Sequence, residues 1–203
     1  HRAAELTNQM LAYSGKSKFV IKPLNMTHLV KEMGHLLEVS ISKKARLVYD
    51  LTDKLPLVEG DPAQVRQIVM NLITNASDAM ADRPGTITLK TSLLDCDKTY
   101  LSSCYVGADL TPGQYICVEV TDTGSGMNAE TQAKIFDPFF TTKIKGRGLG
   151  LAAVLGIVRS HKGALKVYSE LGKGTTFKIL LPCSLLQSQE TTAVMDQKTE
   201  WKA

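Results

Sequence analysis

The segment Asp61 to Met80, DPAQVRQIVMNLITNASDAM, is the most sharply defined element of the sequence. Asp61 is a natural N-cap, Pro62 suits the first helical position, and Gln64 follows Asp61 at the spacing of a capping box. At 100° per residue, the aliphatic side chains of the segment share one broad face. The pattern predicts a buried helix whose start is fixed by its cap.

The rest of the chain alternates between predicted helices and strands. Residue patterns predict helices at 3–13, 25–45, 129–135 and 148–161, and strands at 47–51, 86–93, 115–121, 164–169 and 175–181. The polar segment between the second and third strands is typical of a long hairpin connection. Because several strands follow one another directly, the order predicts an α+β fold with helices on one face of a sheet.

Composition and charge exclude several classes of protein. The chain has 203 residues, 43% of them hydrophobic, which is typical of a soluble globular domain with appendages. Its net charge of +4 is spread along the chain, so no nucleic-acid partner is expected. No apolar run is long enough to span a bilayer, and the first residues lack the apolar core of a signal peptide. The four cysteines form no CxxC pair, which favours free thiols in a reducing compartment.

One edge of the predicted helix at 61–80 carries a row of polar side chains. Gln67, Asn71, Asn75 and Asp78 lie about one turn apart beside the apolar face. An asparagine carbonyl is a neutral oxygen ligand that suits Mg²⁺, so the row is a candidate for a metal that bridges phosphate oxygens. The alternative is that Asn71 and Asn75 are solvated side chains at the boundary of the core.

A second candidate lies where an apolar strand ends, in VEVTDTGSGM at 118–127. The Asp122 carboxylate can accept a hydrogen bond from an exocyclic amine such as adenine N6, and Gly124 and Gly126 let backbone approach a flat base. The alternative is an Asp-Thr-Gly turn that closes the strand.

The third candidate is the glycine-rich run GRGLGLAAVLGIVRSH at 146–161. Backbone N–H groups at the start of a helix bind phosphates. Gly148, Gly150 and Ala153, with Glu170 about 20 residues later, also fit the dinucleotide fingerprint of an NAD-binding oxidoreductase. The basic, proline-containing segment before Gly148 argues against the strand that this fingerprint requires.

The order of these segments is more specific than any one of them. The helix with Asn71 and Asn75 is followed by D-x-G-x-G, by F-x-P-F-F, by the glycine-rich run, and by G-x-G-T at 172–175. This succession resembles the N, G1, F, G2 and G3 boxes of the catalytic ATP-binding domain of sensor histidine kinases. That domain belongs to the GHKL superfamily, with gyrase-type and heat-shock chaperone ATPases. The resemblance covers about Lys22 to Cys183.

The resemblance implies a fold and a division of the chain. The fold is a two-layer α/β sandwich of the Bergerat type, in which a mixed sheet carries three helices on one face. Residues 25–183 would form the catalytic domain, 1–15 the end of the second helix of a dimerisation and phosphotransfer domain, and 16–24 a linker. Residues 184–203 are polar and patternless, and are expected to be a linker or a disordered tail.

The resemblance also assigns the two ends of a bound ATP. Asp122 would hold adenine N6, with Thr175 assisting near the base. Asn75 would coordinate Mg²⁺, and Asn71 would lie one turn earlier beside the phosphates, so these two are the candidate catalytic residues.

The remaining candidates surround the nucleotide. The further residues expected to bind ATP are Gly124, Gly126, Lys143, Gly146, Gly148, Leu149 and Gly150. A short lid at 141–147 would cover the phosphates, and Phe136, Phe139 and Phe140 would anchor it.

Position 71 favours one reaction over another. In the ATPase branches of the superfamily the residue at this place is a Glu that activates water, whereas the amide of Asn71 cannot serve as a general base. The resemblance therefore implies transfer of the ATP γ-phosphate to a histidine, rather than hydrolysis. His1, His28, His35 and His161 lie in no phosphoacceptor motif, so this fragment alone is not expected to phosphorylate itself.

The implied cofactors are ATP and Mg²⁺, and the implied partners are a phosphotransfer histidine domain in the parent chain and a downstream response regulator. The parent is expected to be a homodimer, with this fragment a monomer, in the cytoplasmic portion of a bacterial sensor kinase. Two other functions stay open from the sequence. One is a non-catalytic nucleotide-binding or interaction module, and the other is a Rossmann-type NAD-binding oxidoreductase.

Overall fold

The computed structural model describes residues 20–81, 83–143 and 146–184. Their strands are β1 (Lys22–Leu24), β2 (Ala45–Leu51), β3 (Val58–Gly60), β4 (Gly85–Cys96), β5 (Gly113–Asp122), β6 (Ala164–Glu170) and β7 (Gly174–Pro182). Their helices are α1 (Met26–Glu32), α2 (Gly34–Ser40), α3 (Pro62–Ala79), α4 (Lys98–Ser102), α5 (Ala129–Lys134) and α6 (Gly150–Ser160). The predicted helix at 3–13 and nearly all of the predicted tail at 184–203 lie outside the described residues.

The five longer strands form one sheet in the order β2-β4-β5-β7-β6. β2 and β4 are parallel, and each of the other neighbouring pairs is antiparallel. β1 and β3 pair separately as a two-stranded antiparallel ribbon. The predicted α+β class and mixed sheet are therefore confirmed.

One face of the sheet carries the main core. Alternate strand residues such as Leu89, Val118 and Ile179 are buried in one cluster with α1, α2, α3 and α6. The middle of this helical layer is α3, whose Leu72 and Ile73 are completely buried. As the sequence predicted, the broad apolar face of α3 is covered on the inside of the domain.

The first part of the helical layer differs from the prediction. The helix expected at 25–45 is interrupted at Met33 and ends at Ser40. It ends there because the chain must turn before residues from Ala45 onward pair with β4. Within the predicted linker at 16–24, residues Lys22–Leu24 form β1, and Leu24 joins the main core. In both places the sheet hydrogen bonds decide the conformation, and side-chain spacing does not reveal them.

The opposite face of the sheet carries a second, smaller core beneath α4. The predicted hairpin connection between β4 and β5 contains this helix, which the sequence analysis did not identify. Its completely buried Leu101 packs against the sheet, and the cluster consists of Cys96, Leu101, Tyr115, Cys117, Ala164 and Leu180. With one turn and a half of helix, α4 is too short for helical periodicity to identify.

The N-terminus of α3 is capped as predicted, but its capping box is not formed. Asp61 Oδ1 accepts hydrogen bonds from the N–H groups of Ala63 at 2.8 Å and Gln64 at 3.4 Å. The Gln64 side chain does not return a bond. Instead, the Asp61 N–H donates to Nε2 of His161 at 3.0 Å, from the end of α6. Since His161 Nδ1 lies 2.8 Å from the carbonyl oxygen of Ile157, the proton is assigned to Nδ1.

α3 and α6 run antiparallel, and hydrogen bonds at both ends of α6 join it to the middle of α3 and to its N-cap. At the end opposite His161, the Asn71 side-chain amide donates to the carbonyl oxygen of Gly150 at 3.2 Å. The two bonds fix how the start of α6 lies against the polar row of α3.

The four cysteines are free thiols, as predicted. Burial raises the pKa of the Cys117 thiol to about 12, so this thiol stays protonated and unreactive at neutral pH. Among the described residues, no helix has both the length and the apolar character needed to cross a bilayer.

Replacing Asp61 by Ala is expected to destabilise the protein by about 1–2 kcal/mol, because two N–H groups of α3 lose their acceptor. Burial by itself raises the pKa of Asp61, but bonds from the N–H groups of Val20, Ala63 and Gln64 outweigh it and lower the pKa. The Asp61 carboxylate therefore stabilises the fold above the pKa of the unfolded chain, and this contribution is lost as the pH falls through the lower, folded pKa.

Urea unfolding of wild type and Asp61→Ala at pH 7 and at pH 3 measures both the loss of stability in the variant and its dependence on pH. The matched control is Asp53→Ala, which removes an exposed carboxylate paired with Lys31 and should change stability by less than about 0.5 kcal/mol. An equal loss in the two variants would contradict the capping role.

Candidate functional site

A cavity of about 660 Å³ lies between α3, the start of α6, the described lid residues 141–143 and 146–147, the end of β5 and the start of β7. This volume is typical of a site for a small-molecule ligand. Nine of the eleven predicted site residues line it, namely Asn75, Asp122, Gly126, Lys143, Gly146, Gly148, Leu149, Gly150 and Thr175. The other two, Asn71 and Gly124, support the wall from behind through their bonds to Gly150 and Asp122.

Asp122 forms the deep end of the cavity. Only 4% of its surface is exposed, and its Oδ1 accepts a hydrogen bond from the Gly124 N–H at 2.8 Å. The pairing of β5 with β7 sets Thr175 directly opposite Asp122. Burial raises the pKa of Asp122, although the N–H groups of Gly124 and Thr175 act in the opposite direction. A buried carboxylate of this kind is suited to a ligand that donates a hydrogen bond.

The two glycines after Asp122 are required by the fold itself. A Cβ at Gly124 would lie 2.8 Å from the carbonyl oxygen of Ala79, and Gly126 has a φ of +62°. A Cβ at Gly126 would also collide with the carbonyl of Glu170. From the sequence, these glycines were predicted to let the backbone approach a flat base. Close backbone packing within the protein is sufficient to explain why glycine is needed at both positions.

The glycines of the glycine-rich run differ from one another. Gly148 has a φ of +67°, and a Cβ there would collide with the backbone of Phe139. A Cβ at Gly150 would meet nothing closer than Asn71 Cγ at 3.8 Å, an ordinary contact. The fold therefore does not explain Gly150, which lies on the cavity wall at the first position of α6. No side chain caps this helix, so its first N–H groups are available to an anion.

The dinucleotide interpretation of Gly148, Gly150, Ala153 and Glu170 is wrong. The described residues between α5 and α6 form no strand, and β6, which follows α6, runs antiparallel to β7. A dinucleotide fold requires a strand, a glycine-rich turn, a helix and a parallel strand in succession. Glu170 ends β6 in an exposed ion pair with Lys173.

Asn75 faces the cavity from α3 and contacts a cation. The Lys143 ammonium, from the lid, donates to Asn75 Oδ1 at 2.7 Å and to Asp78 Oδ2 at 2.8 Å. An oxygen that accepts from a cationic group and faces a cavity has the character of a metal ligand.

The donor set fits Mg²⁺ only in combination with a ligand. Within residues 20–81, 83–143 and 146–184, no group of three His, Cys, Asp or Glu side chains is placed to hold a metal ion. Magnesium commonly binds to one or two protein oxygens together with substrate phosphates and waters. Asn75 Oδ1 therefore suits a metal that enters with a phosphorylated ligand.

The three phenylalanines before the lid behave differently. Phe136 is buried, with its ring centroid 4.4 Å from that of Tyr105, and Phe140 packs against the main core. Phe139 is 62% exposed, so the prediction that its side chain anchors the lid is wrong. Its backbone has that role instead, because the Phe139 N–H donates to the carbonyl oxygen of Gly148 at 2.9 Å, across the base of the lid.

The apolar part of the cavity and the partner of the lid were not predicted from the sequence. Met127, Ile135 and Phe177 line the cavity from three separate elements, and no sequence pattern links them. Asp78 was recognised in the polar row of α3 but was not predicted as a site residue. The lysine in the distant lid gave no signal that it would pair with Asp78.

Replacing Asp122 by Asn is expected to stabilise the ligand-free protein at pH 7, because the neutral amide keeps an acceptor for the Gly124 N–H and avoids burying a charge. The raised pKa means that the folded state binds the proton more tightly than the unfolded chain. The wild type therefore loses stability as the pH rises from the unfolded to the folded pKa, and the advantage of the variant should shrink as the pH is lowered towards 4. Urea unfolding of both proteins between pH 4 and pH 7 tests this prediction. A variant that is less stable than wild type at pH 7 would contradict it.

The chain is similar in sequence to known proteins. Residues 60–185 match the family described as histidine kinase-, DNA gyrase B-, and HSP90-like ATPase. Over 187 residues the chain is 40% identical to the sensor kinase CckA of Brucella abortus (strain 2308), an alignment that covers 90% of this chain and 19% of CckA.

Solved structures share the fold. Full-length ShkA in complex with AMPPNP superposes with a TM-score of 0.69 and 25% identity, over 90% of this chain and 36% of ShkA. The histidine kinase ThkA in complex with the response regulator TrrA superposes with a TM-score of 0.64 and 24% identity, over 90% of this chain and 48% of ThkA. The chain thus spans less than half of each of these three proteins. By its sequence and its fold, it belongs to the family of histidine kinase-, DNA gyrase B- and HSP90-like ATPases.

Proposed function

We propose that this chain is the ATP-binding catalytic domain of a sensor histidine kinase, and that it transfers the γ-phosphate of ATP to a histidine of a phosphotransfer domain. The observation that carries the proposal is a single cavity with a buried carboxylate, Asp122, at one end and Asn75 beside the uncapped start of α6 at the other. The cavity therefore offers an acceptor for a base and donors for an anion within one space. The naming of CckA as a sensor kinase and the AMPPNP bound to ShkA support the same ligand.

At the base end, the Asp122 carboxylate accepts a hydrogen bond from adenine N6. Thr175 lies opposite it on β7, with its hydroxyl 2.9 Å from that of Ser169, and contributes near the base. The apolar side chains of Met127, Ile135 and Phe177 contact the faces of the ring.

At the phosphate end, the N–H groups at the start of α6 and the Lys143 ammonium face the negative charge. Asn75 Oδ1 would hold Mg²⁺ when the nucleotide is bound, and the metal would supply charge neutralisation there. Gly146, in the lid, and Gly148, directly after it, line the cavity and would present their backbone to the phosphates.

Asn71 favours transfer over hydrolysis. Its amide is not a base, and its Nδ2 is engaged with the carbonyl oxygen of Gly150. Asn71 therefore holds the start of α6 in position and does not activate a water molecule for attack. Positioning and electrostatic stabilisation then supply most of the catalysis, as is general for phosphoryl transfer.

The acceptor histidine comes from another domain. Within the described residues, His161 is buried against α3, and His28 and His35 lie on α1 and α2 of the helical layer. We infer a phosphotransfer domain in a homodimeric parent protein and a response regulator as the next acceptor, a partner that the ThkA–TrrA complex supports. The domain works on the cytoplasmic side, where ATP is available.

Replacing Asp122 by Asn should weaken ATP binding by about 10- to 100-fold, because an amide N–H group would face the adenine N6 donor. ITP, which carries an oxygen in place of that amine, separates base recognition from loss of fold. Wild type should prefer ATP over ITP, and the variant should lose this preference, as measured by calorimetric titration with Mg²⁺. Asp53→Asn is the matched exposed control. An unchanged ATP affinity in Asp122→Asn would exclude the adenine assignment.

Incubation with γ-labelled ATP is expected to leave the chain itself unlabelled and to label a separately supplied phosphotransfer domain of a sensor histidine kinase. Asn75→Ala should lose this transfer, since the metal ligand is removed. Label on any histidine of this chain would contradict the proposal. ATP binding without transfer would favour the alternative of a non-catalytic nucleotide-binding module.

A further inference from the structure

Asp78 lies one turn after Asn75 on α3 and contacts the lid. Its Oδ2 accepts from the Lys143 ammonium at 2.8 Å, while the same ammonium donates to Asn75 Oδ1 at 2.7 Å. Within the described part of the lid, Lys143 is the residue whose side chain bonds to α3. The Lys143 ammonium therefore joins the lid to α3, the helix that carries the proposed metal ligand Asn75.

The ammonium occupies the oxygen that a metal ion would use. Magnesium approaches its oxygen ligands to roughly 2.0–2.1 Å. A second cation already 2.7 Å from Asn75 Oδ1 repels it, and the two charges are not fully screened in a half-buried cavity wall. Lys143 must therefore leave Asn75 before a metal binds there, and the Asp78 carboxylate is the group that can still hold it.

We propose that Asp78 is a positioning residue for Lys143. In the ligand-free protein it anchors the lid to α3, with the ammonium on Asn75 Oδ1. When Mg²⁺ and nucleotide bind, Lys143 would leave Asn75 Oδ1 and so free that oxygen for the metal, and Asp78 would keep the ammonium beside the phosphates. This second step rests on the proposed function, whereas the anchoring of the lid requires no ligand.

The anchor is tested in the ligand-free protein by limited trypsin digestion, with mass spectrometry of the cut after Arg147 at the end of the lid. Asp78→Asn and Lys143→Met should each raise the rate of this cut by about two- to fivefold, the effect of losing one partly exposed ion pair. The double variant should be no faster than the faster single variant, and Asp78→Glu should restore slow cutting. Glu130→Gln, which breaks the exposed pair with Lys134 on α5, is the control and should change nothing. Unchanged cutting in Asp78→Asn, or additive effects in the double variant, would overturn the anchor.

The exchange is tested by the Mg²⁺ concentration that gives half-maximal binding of a fluorescent ATP analogue. Lys143→Met should lower this concentration several-fold, because the competitor for Asn75 Oδ1 is gone. Arg147→Met removes a cation that also lines the cavity but has no contact with Asn75, so it reports the general effect of charge and should shift the value less. Equal shifts would overturn the exchange. If the wild type binds no nucleotide while the digestion results hold, the proposed function fails and the anchor remains.

Discussion

The pairing of α3 with α6 is the constraint on which the site depends, since the two helices bring the Asn75 side chain and the uncapped start of α6 to one cavity wall. Two hydrogen bonds fix this pairing, from the Asp61 N–H to His161 and from Asn71 to the Gly150 carbonyl. Because the helices are antiparallel, a slide of one along the other would move Asn75 away from the start of α6. The first bond also satisfies a main-chain donor that precedes the helix and would otherwise be buried without a partner.

The two ends of the cavity are built on different physical principles. At the proposed base end, the buried Asp122 carboxylate costs free energy of folding, because burial disfavours its charged form and raises its pKa. At the phosphate end, the Lys143 ammonium already compensates the oxygen of Asn75 and the Asp78 carboxylate. Under the proposed function the base would offset the cost of burying a carboxylate, and the phosphates would replace an existing partner of the ammonium.

The sequence was sufficient to predict the fold class and the residues around the cavity for identifiable reasons. The cap at Asp61 and the amphipathic face of α3 are local signals, and the order of the glycine-rich segments is a specific one. Contacts between residues far apart in the sequence could not be predicted. Nothing in HKGA at 161–164 indicates that His161, rather than Gln64, accepts the hydrogen bond from the Asp61 N–H at the start of α3. The exposure of the Phe139 side chain could not be predicted either, because backbone geometry, rather than hydrophobicity, decides where an aromatic side chain in a loop lies.

Both ends of the described domain lie at the small β1–β3 ribbon. Lys22 pairs with Gly60, Val58 forms a bridge with Cys183, and the Ser184 N–H donates to the carbonyl oxygen of Leu57 at 2.7 Å. The chain therefore enters and leaves through one patch, at the N-terminal end of α3, while the cavity opens near the other end of that helix. A force applied to the chain at either end of the described domain therefore acts first on this ribbon, at the far end of α3 from the cavity.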